Sequence, residues 1–318
     1  MPISRRTTLA LLLAASSTSA VAQSTAAEKT LAERLGYPRD AKLLIVNGDD
    51  LGMTHSVDAA STTALESGAI RSGSIMIPCP WLPEVAAFAR AHPDADLGLH
   101  LTLTSEWSAY RWRPLRSREQ APSLFNRDGY MYQTAEEAIA HLDPREAEAE
   151  VRAQIDRARA VGIHPTHLDT HMGVLFGSRA LFEVLLRVAR ENGLPARVAR
   201  DFLRHSPAMA ELVKPGDVVI DRRVSIEASL PAAKWLEFYT DAIKNLQPGV
   251  TEFIVHLAYD DTEMRSATDG IANWGAAWRQ RDFDFFTSPT FKRLLQENGV
   301  TLITWREVGK LVAKPATK

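Results

Sequence analysis

Leu43-Leu44-Ile45-Val46-Asn47-Gly48-Asp49-Asp50-Leu51-Gly52 decides how the rest of the chain is read. Four consecutive aliphatic residues fit a strand covered on both faces better than one that is half solvated. The run ends on two adjacent acids and then a glycine. An unpaired carboxylate at the end of a buried strand is costly, so something must compensate it. A cation would do so. A helix cap or a turn would also account for the pair, since Asp favours both.

The same strand pattern recurs along the chain. Leu43 to Val46, Ser74 to Ile77, Leu97 to Leu103, His167 to His171, Val218 to Ile220, Phe253 to His256 and Thr301 to Thr304 read as strands. Amphipathic stretches such as Arg145 to Ala160 and Arg179 to Asn192 lie between them, the second closed by Asn192-Gly193, a helix stop. Alternating strands and helices imply parallel strands with right-handed crossovers. The expected fold is α/β, a distorted (β/α) barrel of about seven parallel strands, with catalytic groups at the carboxyl ends of the strands. An open doubly wound sheet is the structural alternative.

Three further strands carry polar groups that their apolar surroundings do not explain. His100 sits in Gly98-Leu99-His100-Leu101-Thr102-Leu103, sharing a face with positions 102 and 104. Alone, it reads as readily as a hydrogen-bonded core histidine. In His167-Leu168-Asp169-Thr170-His171 the period of two turns His167, Asp169 and His171 to one side. One of these histidines would bind a metal, and Asp169 could orient an imidazole ring by accepting its other N–H. His256 ends the apolar run Phe253-Ile254-Val255. Four strand ends on one face thus bear His or Asp, a set that suits one catalytic divalent metal. Zn²⁺ or Mg²⁺ is the first expectation, and Mn²⁺, Ni²⁺ and Co²⁺ have compatible ligand chemistry. Thiolate ligation is not in view. Cys79 is the one cysteine and, between Pro78 and Pro80, reads as a packed small residue.

These segments resemble the ChbG/HpnK (YdjC-like) carbohydrate deacetylases. Leu44 to Gly52 is similar to that family's N-x-D-D-[FL]-G strand end, and Gly68 to Met76 to its G-x-[IV]-x-S-x-[ST]-x-M segment. Gly98-Leu99-His100-Leu101 matches G-[LMI]-H-[LF], and Pro165 to His171 matches P-T-H-[IL]-D-[SGT]-H. Order and spacing agree over about residues 42 to 175. The resemblance implies a polysaccharide-deacetylase-like barrel that hydrolyses the N-acetyl group of an amino sugar or oligosaccharide. It implies Asp50, His100 and His171 as metal ligands, Asp49 as general base and His256 as general acid, with His167 and Asp169 supporting the ligands. The chain departs from the family pattern at Met172 to Phe176, where further histidines are usual, and near Asp58, where Asn is usual. Trp107, Trp112 and Phe176 are candidates to shape the sugar cleft, though packing of their own loops would explain the two tryptophans equally. The alternatives are an esterase or non-sugar amidase on the same barrel, or an inactive sugar-binding homologue.

The remaining features bound the setting. With 45% hydrophobic and 24% charged residues the 318-residue chain has an ordinary globular composition, and a net charge of -2 gives no general attraction for nucleic acid. Residues 1–22 read as a signal peptide: Arg5-Arg6, an apolar run from Leu9 to Ala15, and Ala20-Val21-Ala22 before Gln23. Ser4-Arg5-Arg6-Thr7-Thr8-Leu9 resembles a twin-arginine address. The apolar run is far shorter than the roughly 20 residues that span a bilayer, so no stable membrane insertion is expected. The expected organisation is export to the periplasm or medium, a polar, loosely attached lead-in over 23–39 and a single catalytic domain over 40–318. Oligomeric state is not legible in these residues.

Overall fold

The computed structural model describes residues 28–312, so the expected signal peptide lies outside the described residues. The described part of the lead-in is docked rather than loose. Thr30 and Glu33 cap each other reciprocally at the helix Leu31–Arg34, and Leu31 and Ala32 are buried in one apolar cluster with Trp305 and Val308.

Seven parallel strands follow: β1 (Lys42–Leu51), β2 (Ser72–Ile75), β3 (Asp96–Leu101), β4 (Leu168–Thr170), β5 (Arg222–Val224), β6 (Gly249–Val255) and β7 (Val300–Leu302). They form one curled sheet in the order β4-β3-β2-β1-β6-β5, with β7 on the first half of β1. β1 is long enough to share one edge between two partners. Lys42 to Leu44 pair with Val300 to Leu302, and Asn47 onward pairs with Ser72 onward. Single bridges, Leu168 to Ala196 and Ala199 to Ile220, draw β4 round towards β5 through the extended segment 196–199. The barrel expectation therefore holds as a curled, all-parallel sheet. The expected strand Val218 to Ile220 is displaced: Ile220 makes only an isolated bridge, and the ladder with β6 starts at Arg222.

Helices cover the outside of the sheet. Pro144–Ala160 starts at Asp143, whose carboxylate accepts from the Arg145 and Glu146 amides. Arg179–Asn192 starts at Ser178 and stops at Gly193, whose φ of 64° is the left-handed conformation that glycine adopts freely. Its apolar stripe packs with Val151 and Ile155 and with Leu99 and Leu168 of the sheet. On the other flank, Leu44, Val46, Phe253 and Val255 turn outwards onto Tyr239, Trp278 and Phe286.

The inward-facing residues alternate with these and change character along the barrel axis. Leu43, Ile45 and Val250 meet Trp305 at the amino-terminal end. Asn47, Glu252 and His167 come next, all fully buried, and Asp49, Asp169 and Arg197 lie above them. A hydrophobic floor thus carries a buried polar column that leads to the carboxyl ends of the strands. Among the described residues no helix is long and apolar enough to cross a membrane.

Candidate metal and catalytic centre

Regular pleating would send Asp49 and Asp50 to opposite faces of β1. The backbone prevents this. The pairing of β1 with β2 shifts register between Gly48 and Leu51, and Asp50 adopts φ 72°. A left-handed non-glycine residue is strained and persists where its surroundings hold it. Here the Gly52 amide donates to Asp58 Oδ1 at 2.6 Å, and the Gly52 carbonyl accepts from the Trp81 amide at 3.0 Å. The irregularity brings both carboxylates to one side. His100 Nε2 is 3.3 Å from Asp50 Oδ1 and 3.6 Å from Asp49 Oδ2.

His100 and Asp169 are direct partners in the β3–β4 register, and His100 Nδ1 meets Asp169 Oδ1 at 2.5 Å. This contact turns Nε2 towards Asp50. His171 lies just past β4, at the start of a 3₁₀ turn, with Nδ1 3.4 Å from Asp50 Oδ1 and Nε2 3.0 Å from Glu106 Oε2. One ligand atom from each of Asp50, His100 and His171 lies within 4.8 Å of the others. Asp50 Oδ1, in the middle of the group, is buried without a hydrogen bond.

These residues fit a divalent cation. Buried Asp49, Asp50, Asp169 and Glu252 set four carboxylates against the two guanidiniums Arg197 and Arg279. Burial lowers the basicity of both imidazoles, yet the carboxylates outweigh it. Asp169 and Asp49 hold His100 well above its ordinary value, while Glu106 and Asp50 raise His171 to about 9. Positive charge is therefore favoured at the two ring nitrogens, and a metal would supply it in place of their protons.

Two arginines fix the acids. Arg197 forks onto Asp49, reaches Asp169 Oδ2 at 2.6 Å and places Nε 2.9 Å from Glu252 Oε1. Asn47 and Ser74 donate to Asp49 Oδ1 at 2.7 and 3.2 Å. Burial favours the neutral acid at Asp49, but Arg197 and His100 prevail and hold its carboxyl below the usual range. Arg279 approaches Asp50 Oδ2 at 2.7 Å and lies over the Trp107 ring. Burial likewise opposes the charge on Asp50, and here Arg279, with His100 and His171, outweighs it and holds the carboxyl well below the usual range.

The other expected residues are spread over distinct positions. His256 is one residue past β6 and interacts electrostatically with Asp50, Asp49, Arg279 and His100. Burial, with Arg279, pushes its ring down to about 4 despite Asp50. His167 lies deeper, stacked on Trp305 at 5.2 Å, with Nε2 3.7 Å from Asp169 Oδ2. Trp107 and Trp112 are buried in a T-shaped pair, and the Trp112 ring centroid is 6.3 Å from that of His171. Phe176 packs against Phe182 and Phe202.

Arg197, Arg279, Glu106 and Glu252 were not singled out from the sequence. Two of them carried a signal. Glu252 interrupts Val250 to Val255 and Arg197 interrupts Pro195 to Ala199, and a charge inside an apolar run needs a buried partner. Glu106 and Arg279 lie in polar surroundings where nothing marked them.

Comparison with known proteins finds relatives over most of the chain. The family model described as YdjC-like protein matches residues 43–297. A protein of Thermus thermophilus named carbohydrate deacetylase is 32% identical over 87% of this chain and 97% of its own length. One of Geobacillus stearothermophilus with the same name is 29% identical over 84% and 98%. A crystal structure from Enterococcus faecalis V583, of a protein proposed to cleave cellobiose-phosphate, shares the fold with a TM-score of 0.70. It is 24% identical and is covered over 99% of its length, against 84% of this chain.

Proposed function

The chain belongs to the YdjC-like family, and from that premise we propose that it is a metal-dependent carbohydrate deacetylase, removing N-acetyl groups from an amino sugar or oligosaccharide. The observation that carries the reading is the convergence of His100 Nε2 and His171 Nδ1 on the orphaned Asp50 Oδ1, with the Asp49 carboxylate alongside. The names of the relatives from Thermus and Geobacillus support the substrate class.

Asp50, His100 and His171 would hold the metal. When bound, it would polarise the acyl carbonyl and make water a stronger nucleophile. Asp49 is the general base in this reading. Because Arg197 keeps it ionised, its carboxylate is available to take the proton of the attacking water. Asp169 holds the His100 ring in one orientation, and Glu106 does the same for His171. His256 is the group proposed to hand a proton to the leaving amine. A ring held down to about 4 is neutral at rest, so the proton it would hand on is the one Asp49 takes from the attacking water, and once that proton reaches the ring it is given up readily.

Acetate release from N-acetylated chito-oligosaccharides, followed with and without chelator, tests the proposal. Release that chelator abolishes and added Zn²⁺ or Mg²⁺ restores is expected. A folded, metal-loaded protein that releases no acetate would instead point to an ester or a non-sugar amide. We also propose export, on the strength of residues 1–22. Amino-terminal sequencing of the secreted protein should then begin at Gln23.

A further inference from the structure

Three non-glycine residues among those described have a left-handed backbone: Asp50, Met172 at φ 51° and Trp274 at φ 59°. The first belongs to the candidate metal site, and the other two adjoin it. Met172 directly follows His171. The Trp274 carbonyl accepts from Arg279 Nε at 2.6 Å, and the same guanidinium reaches Asp50. Backbone strain of this kind is held in place by its surroundings and gathers at functional sites.

The side chains at these two positions are also unusual. Five large hydrophobic residues are exposed among those described, and Met172 (42%) and Trp274 (36%) are two of them. A third, Trp81 (36%), hydrogen-bonds through its amide to the carbonyl of Gly52, two residues past Asp50, and tilts against the His55 ring. Three of the five thus sit on backbone that adjoins the site, Met172 beside His171, Trp274 through Arg279 and Trp81 through Gly52. Trp274 stacks one face on Trp278, with centroids 5.0 Å apart and planes at 28°, while more than a third of the residue stays exposed.

We propose that Trp274 is a stacking platform for a sugar ring next to the one that carries the acetamido group, with Met172 and Trp81 completing the rim. The substrate is then an oligosaccharide of at least two rings. The apolar C–H face of a pyranose suits an indole face, which offers a large rigid contact at little entropic cost. The Arg279 guanidinium lies between the Trp274 carbonyl and Asp50, so the loop that carries the indole is one side chain removed from the reacting centre. This proposal rests on the deacetylase reading for the position of the first ring.

The test is calorimetric binding of triacetylchitotriose and of N-acetylglucosamine to metal-loaded protein. The Asp49→Asn background keeps the ligand from being consumed. Adding Trp274→Ala should weaken the trisaccharide about tenfold or more and the monosaccharide much less, and Trp274→Phe should recover most of the loss. Metal stoichiometry, measured alongside, should be the same in all three. Trisaccharide binding that is unchanged by Trp274→Ala, or absent from the parent, overturns the platform. Acetate release by the wild-type protein separates the two ideas. Trp274-dependent binding without acetate release would keep the platform and remove the reaction.

Discussion

Arg197 grips Asp49 with both ends of its fork, Nη1 to Oδ2 at 2.9 Å and Nη2 to Oδ1 at 2.7 Å. The same side chain reaches Asp169 and Glu252, so one buried guanidinium serves three buried carboxylates. Removing one partner from such a group leaves uncompensated charge inside the barrel. Arg197→Met should therefore cost about 3–5 kcal/mol and lower the melting temperature by roughly 5–10 °C. Arg197→Lys should recover little, because an ammonium cannot match the planar fork. Thermal unfolding of both variants measures this, and a Met variant as stable as wild type would mean that the acids are neutral in the fold.

Asp49→Asn and His171→Ala should separate chemistry from metal binding. The first should keep its metal while acetate release falls by about 10²–10⁴, the usual worth of general acid–base help. The second should lose both. Metal analysis beside activity decides the matter, and near-normal turnover by Asp49→Asn would remove Asp49 as the base.

His256 offers a pH test. Burial and Arg279 hold its ring down to about 4, so it should contribute no inflection to kcat/KM between about pH 6 and 8. An inflection in that range that disappears in His256→Gln would show that the ring titrates near its ordinary value.

Asp58 supports the Gly52 amide through Oδ1, while its Oδ2 is buried without a partner. Burial, reinforced by Glu84 and Glu263, raises its carboxyl well above 3.8. A raised folded pKa means that stability is fully present below the unfolded value and is lost as pH rises through the folded one. Asp58→Asn keeps the acceptor and removes the charge. It should be more stable than wild type at pH 8 by about 1–3 kcal/mol and melt correspondingly higher, with the advantage shrinking towards pH 4. Equal melting at both values would show that the carboxylate is compensated.

Gly98 lies against the His167 ring so closely that a Cβ there would overlap it. His167 is stacked on Trp305 and has little room to yield. Gly98→Ala should cost about 1–3 kcal/mol, the usual price of overpacking. The change would also disturb Asp169, and through it the orientation of His100. Melting temperature together with metal affinity would register both effects.

The sequence by itself determined six of the seven strands, the helix stop at Gly193 and most of the polar groups that face the barrel axis. Hydrophobic periodicity, Asn192-Gly193 at a helix end, and a histidine inside Leu99-His100-Leu101 are local signals, legible wherever burial alternates with a fixed period. The four matching motifs supplied the family likeness and, with it, a ligand set that spacing could not single out. Tertiary structure decided how those groups are charged and aimed. The left-handed turn at Asp50 brings two neighbouring acids to one side, against the pleat, and it depends on Asp58 and Trp81 from other elements. Arg197 and Arg279 lie 148 and 229 residues from the acids they hold, and Glu106 lies 65 residues from His171. Ion pairs of that separation leave no periodic trace, because only the curl of the sheet brings the partners within reach.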